Sequence, residues 1–292
     1  MTPTPRRRTR ATPSPATALQ ELGLPPDLSV ELLQALHILT REGSLNQDSR
    51  RKLKQVLHLI RFIEPLIAEA ARNDRAPVLV DHGAGKSYLG FMLADMVLRP
   101  LGRGRVIGVE FRAKLVEQSR ALATRFGFDN MEFLALAVAE SGQHDTVPDG
   151  VDIVTALHAC DTATDDAIAF GLQKHAAAMV LVPCCQAEVA ACLRASKALN
   201  LSRTPLSELW RHPLHTRELG SHLTNVLRCL YLESQGYQVT VTELIGWEHS
   251  MKNELIVARQ TGQKKHSAAQ RLQAILTEMG LEQALAHRFP LN

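Results

Sequence analysis

Asp81-His82-Gly83-Ala84-Gly85-Lys86-Ser87 follows the apolar run Val78-Leu79-Val80 and leads into a helical stretch. Glycines at a strand-to-helix turn take backbone dihedrals closed to other residues and let a ligand approach the main chain. The Gly-Lys-Ser end invites a phosphate-loop reading, but that loop needs a glycine five residues before Gly85, and Val80 stands there. A dinucleotide loop needs Gly or Ala at a third site, where Tyr88 puts a bulky ring. What remains is an acid and two glycines, Asp81, Gly83 and Gly85, with Ala84 and Lys86 beside them. A second acid, Glu110, ends the run Arg105-Val106-Ile107-Gly108-Val109, 25 residues after Gly85. A carboxylate there can accept both hydroxyls of a ribose, and Phe111 offers a ring for an adenine face. The chemistry expected is the binding of a nucleoside-containing ligand.

These residues need a sheet to bring them together. From Pro77 on, short β-branched runs alternate with helical stretches: Val78–Asp81, Arg105–Glu110, Met131–Val138, Asp152–Leu157 and Ala178–Val182. Such alternation predicts parallel strands with crossover helices. After a helical and loop region, 187–236, two more strands are expected, Gln238–Ile245 and Glu254–Arg259, paired as an antiparallel hairpin at the sheet edge through the turn Gly246–Asn253. The prediction is therefore an α/β fold, a mostly parallel seven-stranded sheet with an antiparallel edge hairpin. N-terminal to it, Leu53, Val56, Ile60, Ile63 and Ile67 recur at spacings of 3 and 4, with Leu57 alongside, as on one face of a helix. Asn46 or Asp48 would cap that helix and Pro65 would kink or split it. Arg50, Arg51, Lys52, Lys54 and Arg61 lie opposite, as a solvated face or as a basic rim for an anionic substrate. The expected divisions are a tail (1–16), a helical extension (17–74), the ligand-binding domain (75–262) and a final amphipathic helix (263–292), centred on Lys264–His287.

Composition sets outer limits. Apolar residues make up 45% and charged residues 22% of the 292, enough to bury a core. No window holds 18 consecutive apolar residues, so no transmembrane helix is expected, and no apolar segment marks a secretory signal. The net charge is +3, while Arg6, Arg7, Arg8 and Arg10 alone place +4 on a tail with four prolines and no acid. That tail reads as a disordered basic arm, either merely solvated or touching RNA phosphates. Cys160, Cys184, Cys185, Cys192 and Cys229 show no paired CxxC spacing. Neither a metal ribbon nor a disulfide framework is expected, and a reducing cytoplasm is the expected location.

The string DHGAGKSYLG (Asp81–Gly90), then TALHACDTATDDAI (Thr155–Ile168) and LVPCC (Leu181–Cys185), resembles a domain group of the class I methyltransferases that use S-adenosylmethionine (SAM). The group includes eukaryotic methyltransferase-like proteins and a domain related to tRNA ribose methyltransferases. Its pattern is D-x-G-x-G-K-G-x-L, L-H-A-C-x-x-x-T-D and V-P-C-C, and the likeness runs from about Arg50 to Arg259. It implies a Rossmann-like fold with SAM held by Asp81, Gly83, Ala84, Gly85, Lys86, Glu110, Phe111 and His158. His158 and Asp161, after the fourth strand, are the catalytic candidates, as a base or as groups that orient cofactor and substrate; a strand-capping role is the alternative for His158. Thr164 and Asp165 read as an N-cap and a first-turn acid. A Cys184 or Cys185 nucleophile and a metal site with Cys160 and His158 are weaker alternatives, since adjacent cysteines space ligands poorly. Glu248, His249, Lys252 and Asn253, in the turn between the last strands, either face substrate or form a solvated tip. One departure is Ser87, where the group has glycine. RNA is the substrate the resemblance suggests; a protein or small-molecule substrate, or a SAM-binding partner protein without catalysis, are the alternatives.

Overall fold

The computed structural model describes residue 24 and residues 28–41, 44, 47–157, 159–184, 187–196, 204–244 and 254–291. The basic tail, His158, Cys185, Asn46 and the turn 246–253 with its polar residues lie outside the described residues. The chain divides into two compact units, Met1–Lys54 and Gln55–Asn292.

In the first unit, helix α1 (Val30–Ala35) starts at Ser29, whose hydroxyl accepts the Leu32 N–H at 3.1 Å. Leu32 and Leu33 of this helix, and Leu36, Ile38 and Leu39 after it, are buried. Helix α2 (Gln47–Ala70) begins in this unit and runs on into the second. The apolar stripe is where the spacing puts it: Leu53, Val56, Ile60, Ile63 and Ile67 are all buried. Two details differ from expectation. Asp48 lies inside the helix rather than capping it, and the helix continues through Pro65. Pro65 is on the exposed face, where the carbonyl left without its N–H partner stays open to water.

The second unit is built on one seven-stranded sheet: β1 (Val78–His82), β2 (Arg105–Val109), β3 (Met131–Leu134), β4 (Ile153–Leu157), β5 (Ala178–Val182), β6 (Tyr237–Glu243) and β7 (Glu254–Gln260). The spatial order is β3-β2-β1-β4-β5-β7-β6. The first five strands pair in parallel, and β7 runs antiparallel to both β5 and β6. Strands buried on both faces, such as Ala-Met-Val-Leu-Val in β5, read as continuous apolar runs because helices cover each side. Those helices are α3 (Tyr88–Leu93), α4 (Ala113–Phe126), α5 (Thr162–Gln173), α6 (Glu188–Ser196), α7 (Pro213–Ser234), α8 (His266–Glu278) and α9 (Glu282–Leu285). β3 is shorter than its apolar run suggests: it stops at Leu134, and Val138–Gln143 form a 3₁₀ turn. The final helix is two, broken at Gly280 with φ +63°. Arg120, on α4, donates to the Phe133 carbonyl on the outer strand at 3.2 and 2.5 Å. Among the described residues no helix is long and apolar enough to cross a membrane.

Candidate functional site

Register assembles the site. Asp81 pairs with Gly108 on one side and Thr155 on the other, so the carboxyl ends of β1, β2 and β4 lie side by side, where open α/β sheets hold ligands. Beyond β1 the chain turns through Gly83 (φ +66°) and Gly85 (φ +60°). A Cβ on Gly83 would also meet the Ala159 backbone at 3.3 Å. The turn is pinned to β2 by the Ala84 N–H on the Val109 carbonyl at 3.1 Å.

The two halves of the glycine-acid motif touch. The Gly85 N–H donates to Glu110 Oε2 at 2.8 Å, which sets the carboxylate against the loop. Arg112 holds the other side, its backbone N–H and Nε donating to Oε1 at 3.0 and 2.7 Å. Burial pushes the Glu110 carboxyl up, but the hydrogen bonds from Arg112 and Gly85 outweigh it and leave it below the usual range. Phe111, between them, is 78% exposed and presents an open ring beside the acid. Lys86 is exposed and Ala84 half-buried.

Asp81 is in a different situation. It is buried, its Oδ1 accepts the Thr155 hydroxyl at 2.7 Å, and burial, with the charge of Glu110, lifts its carboxyl to about 7. His82 beside it is pushed by burial down to about 3. Ser141 gives its proton to the Val138 carbonyl, so His82 donates from Nε2 to Ser141 Oγ at 3.1 Å. Its Nδ1 is then a buried acceptor with no partner among the described residues, and Phe170 packs edge-on against the ring at 4.5 Å.

Ser87 shows why the related motif carries glycine. It sits at φ +54° just before α3, a left-handed conformation that strains any residue with a Cβ. Its hydroxyl is buried without a partner among the described residues.

After β4, Asp161 adopts φ +51°, ψ −120°. Its Oδ1 accepts the N–H groups of Ala187 and Glu188 at 3.1 and 3.4 Å, so it caps the start of α6. Its carbonyl accepts Arg228 Nη2 at 2.8 Å. That guanidinium also grips Asp165, with Nε to Oδ1 at 2.6 Å and Nη2 to Oδ2 at 2.9 Å, both side chains buried. Asp165 is a first-turn acid, as read, but with an ion partner the sequence reading missed; an arginine inside Val226-Leu227-Arg228-Cys229-Leu230 was the available signal. Thr164 is not the N-cap: α5 begins at Thr162 with Asp161 as the cap residue, and the Thr164 hydroxyl donates to the Ala159 carbonyl at 2.6 Å. Cys160 Sγ lies 3.0 Å from Cys184 Sγ. Among the described residues no group of three or more His, Cys, Asp and Glu side chains is placed to hold a metal ion.

A SAM-like cofactor fits these residues. The glycine turn leaves the main chain open, Asp81 and Glu110 are carboxylates set apart at adjacent strand ends, and Phe111 is a free face. Residues 51–192 match the model of a family described as a methyltransferase domain. No curated protein matches the chain in sequence. Among solved structures the chain is similar to magnesium protoporphyrin IX methyltransferase from Synechocystis PCC 6803 with bound SAH (12% identity, 79% of this chain and 93% of that one, TM-score 0.45). It is similar also to the SAH-bound methyltransferase PaMTH1 of Podospora anserina (10%, 80% and 89%, TM-score 0.47), and to TrmK of M. capricolum with S-adenosylhomocysteine, SAH (12%, 69% and 70%, TM-score 0.41). The fold assignment rests on this chain's own strand order and register, not on those likenesses.

Proposed function

We propose that this chain, which carries a methyltransferase domain, transfers a methyl group from SAM to RNA. Transfer from SAM is the activity of the domain; RNA is the added step. The observation that carries the cofactor reading is the contact between the glycine turn and Glu110, because it joins the two halves of a nucleoside cradle through one N–H.

When bound, SAM supplies a methyl group on a sulfonium, already activated toward nucleophiles. The chain's residues then bind and align. Asp81 would meet the cofactor ammonium, directly or through water; Glu110, held by Gly85 and Arg112, would accept the ribose hydroxyls; Phe111 would pack on adenine. Asp161, engaged by two backbone amides, is a positioning residue: it holds the turn after β4 and the start of α6 in place. His158 stays the candidate that would touch substrate, as a base or an orienting group.

Support for RNA comes from charge. Arg6, Arg7, Arg8 and Arg10 and the exposed Arg50, Arg51, Lys52, Lys54 and Arg61 of α2 are suited to phosphates. The test is twofold. Calorimetry should show SAM and SAH binding near micromolar, about −8 kcal/mol, with no binding of NAD or ATP. Labelled SAM should then pass its methyl group to an RNA fraction of a cell extract; label appearing only in protein or small molecules refutes the RNA half and leaves the transferase standing.

A further inference from the structure

Cys160 and Cys184 follow two neighbouring parallel strands whose last residues, Leu157 and Val182, are paired. The register therefore delivers the two thiols to one place, with their sulfur atoms 3.0 Å apart. Three features hold them there. Asp161, next to Cys160, bonds the amides of Ala187 and Glu188 on the far side of Cys184. Its own carbonyl is gripped by the buried Arg228. Ala159, on the other side of Cys160, stands beside Gly83 of the glycine turn, its Cα 3.3 Å from where a Cβ on that glycine would lie. Cys160 is exposed and Cys184 half-buried, so a small oxidant reaches Cys160 first. Cys229 differs: burial pushes its thiol up to about 12, which keeps it protonated and unreactive.

We propose that Cys160 and Cys184 are a peroxide-responsive dithiol whose disulfide ties the loop after β4 to the loop after β5 and weakens cofactor binding. The second half rests on the SAM reading above. The Cys160 sulfur attacks one oxygen of hydrogen peroxide; the O–O bond breaks, hydroxide leaves and takes up the thiol proton as water, and Cys160 becomes a sulfenic acid. Cys184 sulfur attacks Cys160 sulfur, the S–O bond breaks, and a second water leaves with the Cys184 proton. Two thiols lose two electrons and one peroxide is reduced to two waters. A disulfide holds its sulfurs about 2.05 Å apart, so closure draws Cys160 toward Cys184 by about 1 Å. Ala159, the chain neighbour of Cys160, passes that shift to the Gly83 turn, on the side where the cofactor would lie, and so alters the cradle.

The test uses the full chain carrying Cys185→Ser, which removes the neighbouring thiol from the assignment. It is treated with hydrogen peroxide, mapped by non-reducing mass spectrometry, and titrated with SAH by calorimetry before oxidation, after oxidation and after dithiothreitol. We expect a Cys160–Cys184 cross-linked peptide and SAH affinity lowered about tenfold, both reversed by the reductant. Cys160→Ser in the same background should show neither change while binding SAH as the reduced protein does. Oxidation of Cys160 to a sulfinic acid with no cross-link, or a cross-link to another cysteine, overturns the dithiol. A Cys160–Cys184 cross-link with unchanged SAH affinity overturns its regulatory half. Reduced protein that does not bind SAH sinks the SAM reading and that same half, while the peptide map still decides the dithiol.

Discussion

At the residue scale, Asp81 and His82 are adjacent buried groups displaced in opposite directions, to about 7 and about 3. Between about pH 4 and 7 the unfolded chain loses the Asp81 proton and the folded chain keeps it, so this contribution to stability falls as pH rises. Between about pH 3 and 6.5 the unfolded chain holds a His82 proton that the folded chain lacks, so that contribution grows as pH rises. Over their common window the two slopes offset, each being up to about 1.4 kcal/mol per pH unit. Asp81→Asn should uncover the histidine slope, with unfolding free energy rising between pH 4.5 and 6.5; urea titrations giving the variant and the parent the same slope would contradict this. Cofactor binding follows the same proton. An ammonium beside Asp81 requires the carboxylate, so SAH affinity should fall by up to about tenfold per pH unit below pH 7, and calorimetry across pH 5.5–8 reads it directly. Ser87→Gly should raise stability by about 1 kcal/mol through relief of a left-handed serine. An unaltered melting temperature would mean that the turn carries no strain.

At the scale of elements, the turn after β4 depends on α7. Arg228→Met strands the buried Asp165 and releases the Asp161 carbonyl, and should cost about 3–5 kcal/mol, the range for breaking a buried ion pair from one side. Arg228→Met with Asp165→Leu should recover much of that loss; a double variant as unstable as the single one would show that the pair is not what holds the turn. Asp161 allows a sharper distinction. Asp161→Asn keeps an oxygen for the amides of Ala187 and Glu188 and should retain most turnover, whereas Asp161→Ala should not; equal loss in both would make it a base after all. Much of this arrangement was legible in advance. Short β-branched runs placed β1, β2, β4 and β5, and the glycine turn with its acid partner pointed to one cradle. What escaped depended on distant pairing. No local pattern ties Arg228 to Asp165, 63 residues apart, or seats Arg112 on the carboxylate of Glu110. The run after Met131 stayed apolar beyond Leu134 because Leu136 and Val138 pack from a turn rather than a strand. Pro65 interrupted nothing because its helix shows that side to water.

At the scale of the whole molecule, the RNA proposal gives the arginines of residues 1–16 a role toward a partner. Deleting that segment, which holds little apolar surface, should leave the melting temperature in place. If RNA is the substrate, its affinity should drop and the slope of log affinity against log salt should flatten by up to about 3, four phosphate contacts at about 0.7 each. A slope that does not move would remove the arm from RNA binding. The sheet carries one more implication, through its order. β7 lies between β5 and β6 although it is the last strand in the chain. A nascent chain that has left the ribosome only as far as Glu243 holds β6 with nothing to join and β5, buried along its whole length in the finished protein, with one side uncovered. Until Glu254–Gln260 emerges, that apolar edge can pair with any passing strand. Ribosomes stalled in this interval, or messages truncated there, should yield aggregates, and the interval before Glu254–Gln260 emerges is the one in which a chaperone has most to do.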